Sequence, residues 1–269
     1  MAVIGDQIII SGDAHFAEPA DLFQTRLPRR LRDKAPHTIK TPEGEFWISG
    51  PNLKNPVAGS TGGCQSDDFA TAIKKGYDGA PKSVWDPAER LKEQDSDTVS
   101  AEVLYSSWGL FLFGMDDDEL RAECFTAFND WAGEYCSDYP NRLKGIGMCD
   151  VTDVATAIQH LEQIKRLGLN GALIHSSPVD ERPYYFDFYD PIWKAAAELE
   201  LPLTMHILTG AKGKGMLKYA SDEREDGLPL QEFGSVHYLT RVVVEVQVSL
   251  GNMMNARTVL PKGISSPCW

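Results

Sequence analysis

The chain has 269 residues, a length that fits one large α/β domain or two small ones. Hydrophobic residues make up 42% and charged residues 24%, as in an ordinary globular protein. The 39 acidic and 26 basic residues give a net charge of -13, which argues against a nucleic-acid partner because that needs a basic patch. No apolar run reaches the roughly 18 residues of a membrane span, and no signal peptide is visible, so we expect no membrane association.

The cysteines indicate the cellular compartment. There is no C-x-x-C pair among the five, which are Cys64, Cys124, Cys136, Cys149 and Cys268. An odd number without paired spacing indicates reduced thiols that pack rather than react. We therefore predict a cytoplasmic protein.

A short stretch near the start carries the first chemical signal. Ile8, Ile9 and Ile10 predict a strand buried on both faces, as in a parallel sheet or barrel. The strand runs into Asp13-Ala14-His15, and residues two apart on a strand share a face. A carboxylate and an imidazole on one face suit a divalent metal. An isolated Asp-x-His is short and common, and is more often an aspartate that caps a turn and an ordinary, partly buried histidine.

The segment from about 37 to 83 is rich in Gly, Pro, Ser and Asn, and its one clear strand signal is Glu45-Phe46-Trp47-Ile48. Long segments of this kind are lids, insertions or surface excursions. We predict an irregular insertion here.

From residue 85 onward, strand and helix signals alternate. Asp86 is the expected cap of a helix with Pro87 at its first position. Later helices are predicted over 116–139, over 152–167 with Thr152 as cap and Gly168 as terminator, and over 188–199. Strands are predicted over 99–105, 142–149, 169–175 and 201–208. A repeat of roughly 30 to 50 residues indicates βαβ units and a parallel sheet.

In such folds, functional groups gather at the carboxyl ends of the strands. Asp13 and His15 end the first predicted strand, His175 the fourth and His206 the fifth. Three of the six histidines in the chain would thus meet at one mouth. We predict a functional site there.

Seven motifs in a fixed order carry a family resemblance. They are Asp13-Ala14-His15 with Glu18-Pro19, Arg26-Leu27-Pro28 with Ala35-Pro36, Trp85-Asp86-Pro87 with Arg90-Leu91, Asn129-Asp130-Trp131, the run from Pro140 to Gly145, Asp190-Pro191-Ile192-Trp193, and the run from Leu201 to His206. Over residues 8–208 the chain resembles the amidohydrolase-related metalloenzymes, a group that includes gamma-resorcylate decarboxylase and aminocarboxymuconate semialdehyde decarboxylase.

The resemblance implies an α/β fold, a (β/α)8 TIM-type barrel formed as one domain by residues 1–269. It implies a divalent metal at the barrel mouth, zinc or else manganese, with Asp13 and His15 as first-strand ligands. His206 would be the fifth-strand ligand and, through the metal, take part in catalysis. The expected activity is hydrolysis or decarboxylation of a small carboxylated substrate, often an aromatic or ring-cleavage compound.

Three further residues are predicted to contact the substrate. His175 matches no ligand of the family, so we expect it to line the pocket or to support a ligand from behind, with plain packing in the core as the alternative. Tyr105 and Trp108 follow the second strand and are candidate walls for a flat substrate. Large aromatic residues at such positions are also common in cores.

The last part of the chain departs from the family pattern. A polar loop to residue 233 is followed by the stretch 236–255, which contains His237. Valines at 242, 244, 246 and 248 alternate as in a strand, whereas the resemblance implies a helix, which is the structure that we expect. No Asp or Glu follows Glu245, so the last-strand acid that the resemblance implies is absent. We expect a reading frame truncated or shifted near residue 256 and an incomplete barrel, with a homo-oligomer or marginal stability as the consequence. The alternative to an active enzyme is an inactive remnant or a carboxylate-binding module without turnover.

Two other function classes lack their motifs. A serine hydrolase of the α/β type needs a Gly-x-Ser-x-Gly elbow, which the sequence does not contain. The glycines of the run from Gly210 to Gly215 have the wrong spacing for a nucleotide-binding loop.

Overall fold

The structure, a computed structural model, describes residues 3–4, 7–50, 53–57, 71, 74–179 and 181–211. The strands in these ranges are β1 Val3–Ile4, β2 Gln7–Ile8, β3 Ile10–His15, β4 His37–Thr41, β5 Gly44–Ser49, β6 Leu53–Pro56, β7 Ala101–Tyr105, β8 Leu143–Met148, β9 Gly171–Ile174 and β10 Leu203–Met205. The α-helices are α1 Leu22–Arg26, α2 Pro87–Ser96, α3 Asp118–Ser137, α4 Val154–Arg166 and α5 Asp190–Glu198. Short 3-10 helices cover Arg29–Lys34, Gly76–Gly79, Lys82–Val84, Trp108–Gly114 and Asp187–Tyr189.

The main sheet has five parallel strands in the order β10-β9-β8-β7-β3. Within this sheet, the strands follow one another in chain order, since β4 to β6 belong to a separate sheet. Helices α2 to α5 make the crossovers. A doubly wound sheet would instead reverse its strand order partway across. The uniform order is that of a (β/α)8 barrel, of which the described strands form a curled half. The α/β barrel-type fold expected from the sequence is confirmed.

The strand alternation after residue 85 follows the sequence prediction closely. Asp86 caps α2 by accepting hydrogen bonds from the backbone amides of Ala88, at 2.9 Å, and Glu89. Pro87 is the first helical residue, as predicted. Gly168 follows α4 with a φ of 72°, which is the left-handed conformation expected of a helix terminator.

The cap of α4 was predicted wrongly. Asp153, not Thr152, accepts the hydrogen bond from the Thr156 amide. The Thr152 hydroxyl instead bonds to the Asp150 carboxylate and accepts from Arg121. The Thr152 side chain, which the local pattern assigned to capping α4, is therefore hydrogen-bonded to the buried Arg121–Asp150 ion pair instead.

The core lies between the sheet and α3. Phe16, directly after β3, packs edge to face against three aromatic residues of α3, with ring centroids 5.2 to 5.9 Å apart, namely Phe128, Trp131 and Tyr135. Cys124, Cys136 and Cys149 are buried free thiols, as predicted. Burial raises their pKa values, which keeps the thiols protonated. Cys64 and Cys268 lie outside the described residues.

The first strand differs from its prediction of burial on both faces. Ile8 is 60% exposed and Ile10 is 59% exposed. For Ile10 the cause is position, because β3 is an edge of the described sheet and pairs with β7 alone within it. Ile10 therefore has a sheet neighbour on one side only. Ile8 lies on β2, which pairs with β1 in a separate two-stranded sheet.

The insertion is more regular than predicted. Its described part contains a three-stranded antiparallel sheet, β4-β5-β6, where the sequence indicated a single strand. Trp47 of β5 is fully buried and stacks on Trp108 with ring centroids 4.5 Å apart. Tertiary packing of this kind supplies the stability that a weak local strand signal does not reveal.

Among the described helices, none combines the length and apolar character that crossing a membrane requires. The predictions for the loop to residue 233, the helix over 236–255 with His237, and the end of the chain lie outside the described residues.

Candidate metal centre

Three side chains predicted as ligands lie together at the mouth of the sheet. Asp13, His15 and His206 each offer one donor atom, and these atoms lie within 4.8 Å of one another. The Asp13 Oδ1 atom is 3.6 Å from His15 Nε2 and 3.4 Å from His206 Nε2. The Asp13 side chain is 70% exposed and that of His206 13%. The group is therefore open to solvent on its aspartate side.

The curl of the sheet brings these residues together. Asp13 and His15 lie at the end of β3, and His206 follows β10. These strands are the two edges of the described five-stranded sheet. In a flat sheet, four strand spacings would separate them by about 19 Å. A register shift between Ser11 and Ala14 also distorts β3 next to the site, as bulges near functional sites do.

Hydrogen bonds fix which nitrogen of each imidazole faces the site. The Nδ1 atom of His15 is 2.9 Å from the Ser106 carbonyl oxygen, and that of His206 is 2.9 Å from the Ile207 carbonyl oxygen. A carbonyl can only accept, so each Nδ1 carries a proton, and in the neutral form of the ring Nε2 then presents a lone pair. Three acceptor atoms, counting the Asp13 oxygen, thus converge. A cation fits this arrangement because it relieves their mutual repulsion.

The charge state of His15 agrees with this geometry. Burial lowers the pKa of His15, and the nearby His206 adds to the effect, while the Ser106 carbonyl and Asp13 oppose it. A lowered pKa keeps the imidazole neutral at pH 7. Neutral imidazole is the form that binds a metal.

Tyr105 lies beside the group, where the sequence placed a pocket wall. Its ring centroid is 5.3 Å from that of His206 and 6.2 Å from that of His15. Its hydroxyl is 3.0 Å from Oγ1 of Thr204 on β10. This hydrogen bond holds the ring across the sheet mouth.

Trp108 and His175 lie in the core rather than on an open surface. Trp108 is fully buried between Trp47 and Phe23. His175 is also fully buried, edge to face against Phe113 at 4.9 Å, and its ring nitrogens have no hydrogen-bond partner among the described residues. The 3-10 helix Trp108–Gly114 supplies both Trp108 and Phe113, and Phe113 packs against His175 after the end of β9.

Two buried polar groups near the mouth were not found from the sequence. Asp150, two residues after β8, forms an ion pair with Arg121 at 2.8 Å, and both side chains are nearly inaccessible. Glu18, noted only as part of a motif, is 1% exposed and accepts hydrogen bonds from the backbone of the 107–109 segment. The one available signal was their position shortly after β3 and β8, since functional groups of such folds gather at the carboxyl ends of strands.

Comparison with solved structures supports the fold. An amidohydrolase from Mycobacterium avium subsp. paratuberculosis K-10 aligns with 92% of this chain and 68% of its own length, with a TM-score of 0.64 at 15% identity. Two structures of 5-carboxyvanillate decarboxylase from Novosphingobium aromaticivorans DSM 12444 align with 77% of this chain and 52% of theirs, with TM-scores of 0.50 at 21% and 22% identity. The chain thus spans about half to two thirds of the length of these proteins.

The protein family described as Amidohydrolase matches residues 73–247, which is more than half of the chain. His206 lies inside the matched range, whereas Asp13 and His15 precede it. The strand order, the match and the structural neighbours agree with the resemblance seen in the sequence. The chain therefore belongs to the amidohydrolase family.

Proposed function

We propose that this protein is a metal-dependent hydrolase or carboxy-lyase that acts on a small carboxylated substrate. One observation carries the proposal: Nε2 of His15 and Nε2 of His206 both face the Asp13 carboxylate, 3.6 and 3.4 Å from its Oδ1 atom. Each Nδ1 atom is held by a backbone carbonyl. This donor set suits a divalent cation.

A metal held by Asp13, His15 and His206 would supply Lewis-acid polarisation of a substrate carboxylate or carbonyl oxygen. The exposed side of Asp13 leaves room for substrate to approach. Tyr105 offers an aromatic face next to the two imidazoles, against which a flat ring would pack. Hydroxybenzoate-like carboxylates are therefore the substrate class that we propose.

The structural neighbours support this substrate class. The Novosphingobium decarboxylase structures contain manganese and a hydroxy-methoxy-nitrobenzoic acid. At 21% and 22% identity, the likeness to this chain is one of fold. Two imidazoles and a carboxylate suit either zinc or manganese. Zinc was the first choice from the sequence, and the neighbours make manganese an equal candidate.

The alternative is a carboxylate-binding module without turnover. Within the described residues, the donor group consists of Asp13, His15 and His206, with no further acid that would move a proton. Such a module would bind metal and a carboxylate but release no product. The two proposals therefore share the metal centre and differ in turnover.

The first test is metal stoichiometry and affinity. We expect close to one equivalent of zinc or manganese per chain by elemental analysis, and saturable binding by calorimetry. His15→Ala and His206→Ala should each abolish this binding. His37→Ala is the matched control, because His37 bonds to the Ala35 carbonyl outside the site. Full metal binding by both site variants would refute the proposed centre.

The second test is turnover of the metal-loaded protein on a panel of hydroxylated benzoates, followed by ultraviolet absorbance. Loss of carbon dioxide or hydrolysis that depends on His206 supports an enzyme. Metal and carboxylate binding without any product supports the binding module instead. Absence of both overturns the proposal as a whole.

We further propose that residues 1–269 form one barrel domain that carries the insertion at about 37–83. A cytoplasmic location and self-association remain predictions. Size-exclusion chromatography with light scattering tests self-association directly.

A further inference from the structure

The Glu18 side chain is held by a set of donors from one loop. Its Oε1 atom accepts from the Ser106 hydroxyl and from the backbone amides of Ser107 and Gly109, both at 3.1 Å. Its Oε2 atom accepts from the Trp108 amide at 3.0 Å. The carboxylate is 1% exposed. A buried carboxylate is held most tightly by donors of this kind, because every acceptor site it needs is satisfied locally.

The same loop holds His15. The Ser106 carbonyl accepts the His15 Nδ1 proton, while the Ser106 hydroxyl donates to Glu18. Ser106 is itself 1% exposed, so it has little freedom to move. Glu18 therefore connects to the Nδ1 atom of His15 through Ser106 and two hydrogen bonds, and Nε2 of the same ring faces Asp13.

The segment that carries His15 and Glu18 is also held along its backbone. Arg90 donates to the His15 carbonyl at 2.8 Å, and the Phe16 amide donates to the Tyr105 carbonyl at 3.0 Å. The Tyr77 hydroxyl donates to the Glu18 carbonyl. With the backbone fixed in this way, the Glu18 carboxylate determines where the 106–109 loop lies relative to His15.

We propose that Glu18 is a positioning residue for the metal centre, which fixes the Nδ1-protonated form and the ring orientation of His15 through Ser106. This inference rests on the proposed metal site for its function, but the positioning itself exists without metal. A glutamine at position 18 would point its amide group at a backbone amide or at the Ser106 hydroxyl proton. The loop would then have to shift, and the Ser106 carbonyl would move with it.

The test of positioning uses the metal-free protein. Long-range proton–nitrogen NMR above the ordinary histidine pKa distinguishes the two neutral forms of each ring. We expect His15 to be Nδ1-protonated in the parent protein. His160 is the internal reference of opposite type, because its Nδ1 accepts from the Asp150 amide and its Nε2 lies 3.1 Å from the Ala122 carbonyl.

In Glu18→Gln, we expect the His15 nitrogen signals to move toward a mixture of the two forms while the His160 signals stay in place. Ser107→Ala is the matched control in the same loop, since it removes the hydroxyl that donates to the Phe16 carbonyl and leaves the Glu18 contacts intact. Unchanged His15 signals in a folded Glu18→Gln protein would overturn the inference. If that variant does not fold, Ser106→Ala, which removes only the hydroxyl contact with Glu18, tests the same connection.

The metal provides the second readout. Calorimetric titration with zinc or manganese should show affinity weakened about 10-fold or more in Glu18→Gln, the usual consequence of losing a partner behind a ligand, and unchanged in Ser107→Ala. If the role of Glu18 were purely structural, Glu18→Gln would lower the melting temperature and leave both the His15 nitrogen signals and the metal affinity unchanged. If the parent protein binds no metal while the NMR result holds, the proposed function fails and the positioning stands.

Discussion

At the scale of single residues, two arginine–carboxylate pairs show how burial determines the contribution of an ion pair to the stability of the fold. Arg121 and Asp150 have side chains only 1% and 2% exposed, and Arg121 also donates to the Met115 carbonyl and the Thr152 hydroxyl. Arg26 and Glu134 form a pair at 2.6 Å, shorter than the 2.8 Å of the first pair, and the glutamate side chain is 62% exposed. Water competes for the second pair and not for the first.

Arg121→Met should destabilise the protein by about 3–5 kcal/mol, because it leaves the Asp150 charge buried without its partner. Arg26→Met should cost no more than about 1 kcal/mol, as exposed ion pairs do. The measurement is the free energy of unfolding in urea for the parent and both variants. Equal losses in the two variants would contradict the difference that burial predicts.

His175 should make stability depend on pH. Burial lowers its pKa to about 4, against the opposing influence of Asp150. Between that value and the ordinary histidine pKa near 6.5, the unfolded chain binds a proton that the folded chain does not. The contribution of His175 to the free energy of unfolding is therefore fully present above about pH 6.5. It falls by up to about 3 kcal/mol as the pH drops to about 4.

His175→Leu should remove this component of the pH dependence while keeping a similar volume against Phe113. Unfolding free energies of the parent and the variant are measured from pH 8 to pH 4, and the difference between them should change in favour of the variant as acid is added, because only the parent loses stability from this group. Curves that stay parallel over the whole range would mean that His175 does not titrate as its burial implies.

At the scale of elements, caps set where helices begin. Asp86 was identified from the sequence because a proline follows it at the first helical position. The cap of α4 was assigned from the sequence to Thr152, although the adjacent Asp153 is also of a residue type that caps helices. Only the structure shows that Arg121 and Asp150 engage Thr152, which leaves the cap to Asp153.

Asp153→Ala should therefore destabilise the protein by about 1 kcal/mol, the usual cost of a lost helix cap. Asp153→Asn is the matched control and should be nearly neutral, because the asparagine side chain accepts the same hydrogen bond from the Thr156 amide. Urea unfolding of the two variants measures the difference. An Asp153→Ala variant as stable as the parent would mean that another residue caps α4.

At the scale of the whole molecule, an aromatic stack joins the insertion to the barrel. Trp47 of the insertion sheet stacks on Trp108. Trp108 belongs to the 106–109 loop, and its backbone amide donates to the Glu18 carboxylate. The Tyr77 hydroxyl adds a hydrogen bond to the Glu18 carbonyl. The insertion thereby supports the segment that carries the first two candidate ligands.

Trp47→Ala should destabilise the protein by about 3–5 kcal/mol, because it opens a cavity against a fully buried neighbour. Phe46→Ala on the same strand should cost far less, since Phe46 is half-buried and lies under the ammonium group of Lys54. Thermal or urea unfolding of both variants tests the contrast. Equal effects would show that the insertion is not anchored through Trp47.

Local patterns in the sequence determined the repeating units of this protein. The alternation of strands and helices after residue 85, the Asp86 cap and the Gly168 terminator depend on neighbours within a few residues. The two-residue spacing of Asp13 and His15 likewise determines that they share a face of β3. Such features are readable because their physical cause is short-range.

Tertiary structure decided what depends on distant parts of the chain. Only the curl of the sheet places His206 3.4 Å from Asp13, across strands that a flat sheet would hold about 19 Å apart. The burial of His175 and Trp108, the three-stranded insertion sheet and the donors around Glu18 also come from segments far apart in sequence. No local pattern encodes these contacts, because their free energy arises only when the packed elements meet.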